Sequence, residues 1–283
     1  AIPAYSIGFF RTGEVRATAG GFGSANVQRS SKIETYLSGI DDAALTALAD
    51  EAYLDLVERL KNAGLEVVPA EQLMATPEFG GLKRQDKITG GKGKIDGRAE
   101  KGWTTHGAAP VGVSSGLGFS PTPLSGFAQI GVFSTMNKLS KAVDAALIVP
   151  RLGIDYADME SSGSKIWGGS ASVSAETRFA INALSKASVS YGIGPAGDSC
   201  ELLLKDAVGS PEPFAVLRHT ADNSDSAALS TAFALMGLSN MYAQRNTYAV
   251  QVAPERYKAL VRAAYAGFNQ AIVDEIRKAR GMS

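Results

Sequence analysis

Residues 41–68, DDAALTALADEAYLDLVERLKNAGLEVV, restrict the possible architectures more than any other stretch of this chain. Apolar groups at Leu45, Leu48, Ala49, Ala52, Tyr53, Leu56, Val57, Leu60 and Ala63 recur at i, i+3, i+4 and i+7, which places one apolar stripe along a helix. Asp41 and Asp42 supply a side-chain cap and a first-turn acid, and Gly64 stands where a left-handed residue ends such a helix. Residues 65–68 hold two β-branched side chains before Pro69 and read as a short strand. A helix feeding a strand predicts an α/β (α+β) chain, with a mixed sheet packed against amphipathic helices.

Other segments fit that class. Residues 4–18 read as an apolar strand with a turn at Gly13, and residues 19–40 as a loop or irregular strands. Residues 71–74 open a short helix that Pro77 limits. A helical pattern runs through Phe127, Ile130, Phe133, Met136, Leu139 and Val143, and a buried strand follows from residue 146, extending past Pro150. Val173, Ala175, Thr177, Phe179, Ile181 and Ala183 alternate, as do Val189, Tyr191 and Ile193, with a hairpin turn expected at Ser185–Lys186. Strands are expected at 200–205, 214–219 and 246–252, and a helix at 224–238. A last helix from Pro254 carries Tyr257, Leu260, Val261, Ala264, Tyr265, Phe268, Ile272 and Ile276 on one stripe. The 283 residues are read as a single domain, 1–283.

Between 80 and 123 the composition changes. Residues 80–102 hold seven Lys/Arg against three Asp/Glu, with many glycines, and an uncharged Gly- and Ser-containing run follows. Such a segment buries little, and predicts a flexible or hairpin-like excursion within the domain. Lys83, Arg84, Lys87, Lys92, Lys94, Arg98 and Lys101 lie close together there and suit contact with an anion or lipid head group. Trp103, Phe119, Phe127 and Trp167, in or near the same region, either line an apolar ligand pocket or anchor the excursion to the core. The tract GGKGKIDG at 90–97 has neither phosphate-loop spacing and reads as a flexible basic loop.

Bulk properties exclude several functions. Twenty-eight basic residues balance 28 acidic ones, so no global field recruits nucleic acid. No run of 18 apolar residues predicts a transmembrane helix. A lone cysteine, Cys200, rules out an internal disulfide or a cysteine-rich metal site, and its strand setting predicts a buried, inert thiol. The opening AIPAYSIGFF reads as a mature terminus after removal of an export signal, which places the chain in the periplasm or outside the cell.

Catalytic groups are sparse. His106 sits in a Gly-rich run and reads as solvated, and His219 as a strand-end surface residue. His219 with Asp222 or Asp225 makes a hydrolase arithmetically possible, but no G-x-S-x-G elbow supplies its nucleophile. The acidic clusters at 155–160 and 222–225 lack calcium-loop spacing, so no metal and no cofactor are expected.

The order of elements resembles a known arrangement. It runs from AYSIGFF through LVERLKNAGLEVV and KLSKAVDAALIVPRLGIDY to SVSAETRFAINALSKASVSYG and a terminal helix. This is similar to the fold shared by the amino-terminal domain of the TolB family, the curli secretion channel family and the lipoprotein activators of penicillin-binding proteins. Leu184–Ser185–Lys186 replaces the aspartate and T-G common at that hairpin turn. The resemblance implies a non-catalytic envelope module that binds an envelope protein or self-associates as an oligomer, and it carries over no functional residue. The expected function is therefore interaction or scaffolding. A carrier or sensor of a small apolar ligand is the second reading, and a hydrolase using His219 the third.

Overall fold

The computed structural model describes residues 1–19, 29–82, 84–95, 99–114, 116–122, 127–163, 171–191, 198–222 and 242–281. In order these form β1 (Ser6–Ala19), β2 (Arg29–Ser38), α1 (Asp42–Asn62), α2 (Ala70–Met74), α3 (Pro77–Gly80), β3 (Arg84–Gln85), β4 (Lys87–Ile95), β5 (Ala99–Gly107) and β6 (Val113–Ser114). They continue with α4 (Phe127–Val143), β7 (Leu147–Gly163), β8 (Ala171–Ile181), β9 (Lys186–Tyr191), β10 (Asp198–Leu203), β11 (Val208–Ser210), β12 (Ala215–Asp222), β13 (Tyr242–Val252) and α5 (Pro254–Ala279). The α/β class expected from the sequence is what the chain adopts: a mixed sheet packed against helices. The helix expected at 224–238 lies outside the described residues.

α1 forms as its sequence dictates. The Asp41 carboxylate accepts from the Ala44 amide at 2.8 Å, and Leu45, Leu48, Leu56 and Leu60 are buried, each worth roughly 1.5–3 kcal/mol. At the other end Gly64 takes φ +75°. Its amide donates to Lys61 O and that of Leu65 to Leu60 O, which closes the helix with a Schellman pair. This corrects the strand expected at 65–68. Leu65 has spent its donor on the cap, Pro69 has none, and α2 starts at Ala70, so the segment crosses without joining a ladder.

The main sheet runs β10-β9-β7-β1-β2-β13-β12, with β4, β5, β8 and β11 attached off that path. β5 pairs along one edge of β1, while the other edge is shared, by β7 in parallel at residues 6–9 and by β2 in antiparallel from Thr12 onward. β1 continues through Gly13 without the expected turn. A Cβ there would run into Met159 Sδ and Thr35 Oγ1, so this glycine serves close packing. Residues 29–38 are likewise a regular strand, β2, where a loop or irregular strands were expected.

Pro150 sits inside β7. Ile148 donates its amide to Ala1 O, so Pro150, two residues on, faces the same edge, just before pairing with β1 begins at Arg151. Its missing N–H is therefore not required.

The alternation at 173–193 also acquires a different partner. β8 and β9 do not pair with each other; both run antiparallel to β7. Ile154 faces Ile181 and Arg151 faces Lys186, so residues 182–185 bulge out between β8 and β9 in a turn closed by the Ser185 amide donating to Asn182 O at 2.9 Å, and the two strands do not fold back on each other as the expected hairpin would. Asn182 N–H donates to Gly153 O at 2.8 Å, and Ser185 Oγ accepts from the Gly153 amide at 2.9 Å.

Among its described residues the stretch 80–123 is held by strand pairing. β4 and β5 make a hairpin, and β5 lies against β1. Trp103, Thr105, His106, Ala108, Val111, Val113, Leu117 and Phe119 are buried, which corrects the expectation that this stretch buries little.

The two faces of β1 differ. Tyr5, Ile7 and Phe9 turn to one side. Tyr5 OH donates to Asn269 of α5, whose amide donates to Ala52 O and Asp55 of α1. Phe9 meets His106 edge-on, and His106 Nδ1 lies 2.9 Å from Thr46 Oγ1 of α1. Ser6, Gly8 and Phe10 face the opposite side, where Phe119 lies. The helical core therefore occupies one face and the candidate site the other.

Candidate ligand cavity

On the face away from α1 and α5 lies a cavity of about 500 Å3. Three adjacent strands form its floor. Arg151 of β7 faces Lys186 of β9, which faces Leu203 of β10; Val149 faces Ser188, which faces Glu201. Side chains two apart along a strand share a face, so these six, with Ser190, all line the space. Trp103, Ile88 and the loop at 116–122 make one wall, and Val132, Phe133 and Met136 of α4 another.

Glycines set how closely that wall approaches. Gly8 and Gly153 are neighbours in the β1–β7 register, and the Phe119 ring fills the space that a Cβ on either would need. The loop's polar groups are satisfied there: the Phe119 amide donates to Ser6 Oγ at 2.9 Å, and Thr105 Oγ1 donates to Phe119 O at 2.8 Å. Trp103 covers Gly90 in the same way. Trp103 and Phe119, singled out from sequence, are thus brought together, and both pack on the core as well as lining the cavity. The Phe127 side chain and Trp167 lie outside the described residues.

Charge gathers on the floor. Arg151 Nε and Nη2 donate to Leu117 O at 3.2 Å and Gly116 O at 3.1 Å. Burial pulls the Arg151 pKa down, opposed by the negative charge of Glu201. Lys186 Nζ donates to Glu201 at 2.8 Å and is the first cause holding that carboxyl below its usual range. Two cations against one carboxylate leave this wall with a net positive charge.

Of the seven basic residues expected to form one anion- or lipid-binding patch, the three whose side chains are described do not share a setting. Arg84 is exposed, donates to Pro110 O at 2.9 Å and stacks 4.9 Å from the Phe79 ring centroid. Lys87 is exposed and paired with Asp42 at 2.6 Å. Lys101 leaves the patch altogether: its place in β5 turns it inward, 5% exposed, onto Asp155 at 2.5 Å and Ala157 O at 3.0 Å. Lys83, Arg98 and the side chains of Lys92 and Lys94 lie outside the described residues. Residues 90–95 belong to β4, where the glycine-rich tract had read as a flexible basic loop.

His106 is fully buried, against the expected solvation, and the reason is its place in β5 beneath α1. Cys200 is exposed where burial was expected, because in β10 its neighbour Glu201 takes the cavity face. His219 is exposed on β12 beside Tyr248, ring centroids 5.1 Å apart, while the Asp222 side chain and Asp225 lie outside the described residues. In the 155–160 cluster, Asp155 is held by Lys101 and Asp158 by Arg178 at 2.9 Å. Among the described residues no group of His, Cys, Asp and Glu is placed to hold a metal, and no helix is long and apolar enough to cross a membrane.

Sequence reasoning missed Arg151, Lys186, Glu201 and Met136. For Arg151 a signal existed, a lone cation inside the apolar run ALIVPRLGI. Comparisons with protein-family models, with curated proteins and with solved structures find no match for this chain.

Proposed function

We propose that this protein binds a small, mostly apolar molecule in the cavity between its sheet, the 116–122 loop and α4. The observation that carries this reading is the cavity itself. Its 500 Å3 falls within the roughly 300–1,000 Å3 that holds drug-sized ligands, and apolar walls end on a few polar groups, as such sites do. That describes a carrier or sensor. The test is binding of a neutral fluorescent probe, N-phenyl-1-naphthylamine, to the wild type and to Val132→Trp, which fills the space from its α4 wall. Saturable binding by the wild type that is lost in V132W, at an unchanged melting temperature, is the expected result. Equal binding by both proteins, or none by the wild type, refutes the reading.

A scaffold or self-associating role is the second reading, and one observation favours it. Among the described residues β12 ends the sheet path with one edge unpaired and carries Val216 62% exposed, an open strand edge of the kind that pairs with another chain. Light scattering that finds a monomer at all concentrations would remove that reading.

A further inference from the structure

We infer that the ligand of this cavity is an amphiphile with a single carboxylate head, seated against Arg151, and an apolar body lying along the Phe119 wall. The inference rests on the cavity being a binding site and adds the chemistry of what binds.

Arg151 is a cation placed in a pocket where, among the described residues, it has no carboxylate in ion-pair range. Two of its nitrogens are fixed by the carbonyls of Gly116 and Leu117, which orient the guanidinium plane without neutralising it. Nη1 makes neither of these bonds, and among the described residues no carboxylate lies within 4.0 Å of the group. Glu201 is the nearest acidic influence, and its oxygen is already engaged by Lys186. An arriving carboxylate therefore meets two cations and one occupied acid. A guanidinium presents its donors as a rigid fork that fits a carboxylate, and the bond is charge-assisted. Held in place before binding, it costs little ordering when the ligand enters.

The rest of the cavity asks for hydrocarbon. Val149, Leu117, Phe119, Phe133 and Met136 surround the space beyond Arg151. At 500 Å3 the space lies in the lower half of the roughly 300–1,000 Å3 that holds drug-sized ligands. That suits a head group with a medium-length chain or a compact ring system. A neutral apolar ligand would leave the half-buried cation unpaired, and a cationic one would be repelled.

The experiment displaces N-phenyl-1-naphthylamine from the wild-type protein with three probes sharing one ten-carbon chain: decanoate, decanol and decyltrimethylammonium. Decanoate should compete at a concentration at least about tenfold below that of decanol, a difference of about 1.4 kcal/mol or more, with the ammonium weakest. In Arg151→Met, which keeps the length of the stem, the advantage of decanoate should fall to within about twofold while decanol is unchanged. The comparison of heads on the wild type needs no variant, so it stands if R151M fails to fold. Equal competition by decanoate and decanol overturns the carboxylate inference and leaves the cavity reading intact. Failure of all three to displace the probe, with V132W still binding it, overturns both.

Discussion

Acidification should destabilise this protein through His106, and the size of the effect follows from its surroundings. The ring is fully buried, edge-on to Phe9. Thr46 Oγ1 donates to Asp42 O at 3.0 Å, so toward His106 it acts as acceptor, and Nδ1 carries the proton. Nε2 is then a bare lone pair with no hydrogen-bond partner among the described residues. Protonating it would bury an unsatisfied cationic N–H, and desolvation accordingly drives the His106 pKa down to about 4, with Lys87 and Arg11 pushing the same way and Asp42 opposing. An unfolded histidine titrates near 6.5. Because the folded value is depressed, the unfolded chain binds the proton first. The stability due to neutral His106 is complete above about pH 6.5 and is lost as the pH falls toward 4. The linkage relation gives a loss of about 2 kcal/mol between pH 7.5 and 5, and about 3 kcal/mol by pH 4. Urea unfolding of the wild type and of His106→Phe at these pH values isolates the term, since carboxylates that also titrate are common to both proteins. H106F gives up the Thr46 bond, about 1 kcal/mol at every pH, but its stability should fall with acid by about 2 kcal/mol less. Parallel pH profiles for the two proteins would refute this account of the buried imidazole.

Two further substitutions probe the face that carries the cavity. Lys101→Met leaves the Asp155 carboxylate buried without a cation, and should cost about 3–5 kcal/mol in urea unfolding; adding Asp155→Asn, which removes the charge and keeps an acceptor for the Tyr156 and Ala157 amides, should recover most of it, and a double variant no better than the single one would contradict the pairing. Gly8→Ala drives a methyl into the Phe119 ring and should cost about 1–3 kcal/mol while weakening probe binding, whereas an unchanged melting temperature would mean that the ring does not rest on this glycine.

The sequence was readable where the signal is local. α1 could be placed because its cap, its 3.6-residue period and its terminal glycine lie within one stretch, and α5 for the same reason. Alternation located β8 and β9 but could not say what they pair with, since the pleat records which face is buried and nothing about the neighbouring strand. Pairing along β7 is a long-range fact, set by the bulge at 182–185. The stretch 80–123 misled for another reason. Glycine and threonine in number suggest a chain with little to bury, yet Gly90 and Thr105 are there to fit beneath or bond to Trp103 and Phe119. Composition does not separate a glycine that gives freedom from one that makes room. Arg151 was hidden in a run whose apolar neighbours set the reading for the whole segment.

The contacts that hold the second face together are also those that would define the ligand. The 116–122 loop can lie close to the sheet because Gly8 and Gly153 present a flat patch to Phe119. Its backbone is then tied by Ser6 and Thr105 at Phe119 itself, and its carbonyls at residues 116 and 117 fall within reach of Arg151, two residues before Gly153 on the same face of β7. The ring that seals the apolar end and the carbonyls that aim the guanidinium thus belong to one loop. Lifting the loop should loosen both, so Gly8→Ala should lower the selectivity for a carboxylate head along with overall affinity. A loss of affinity equal for decanoate and decanol would mean that the loop shapes the cavity without positioning its charge.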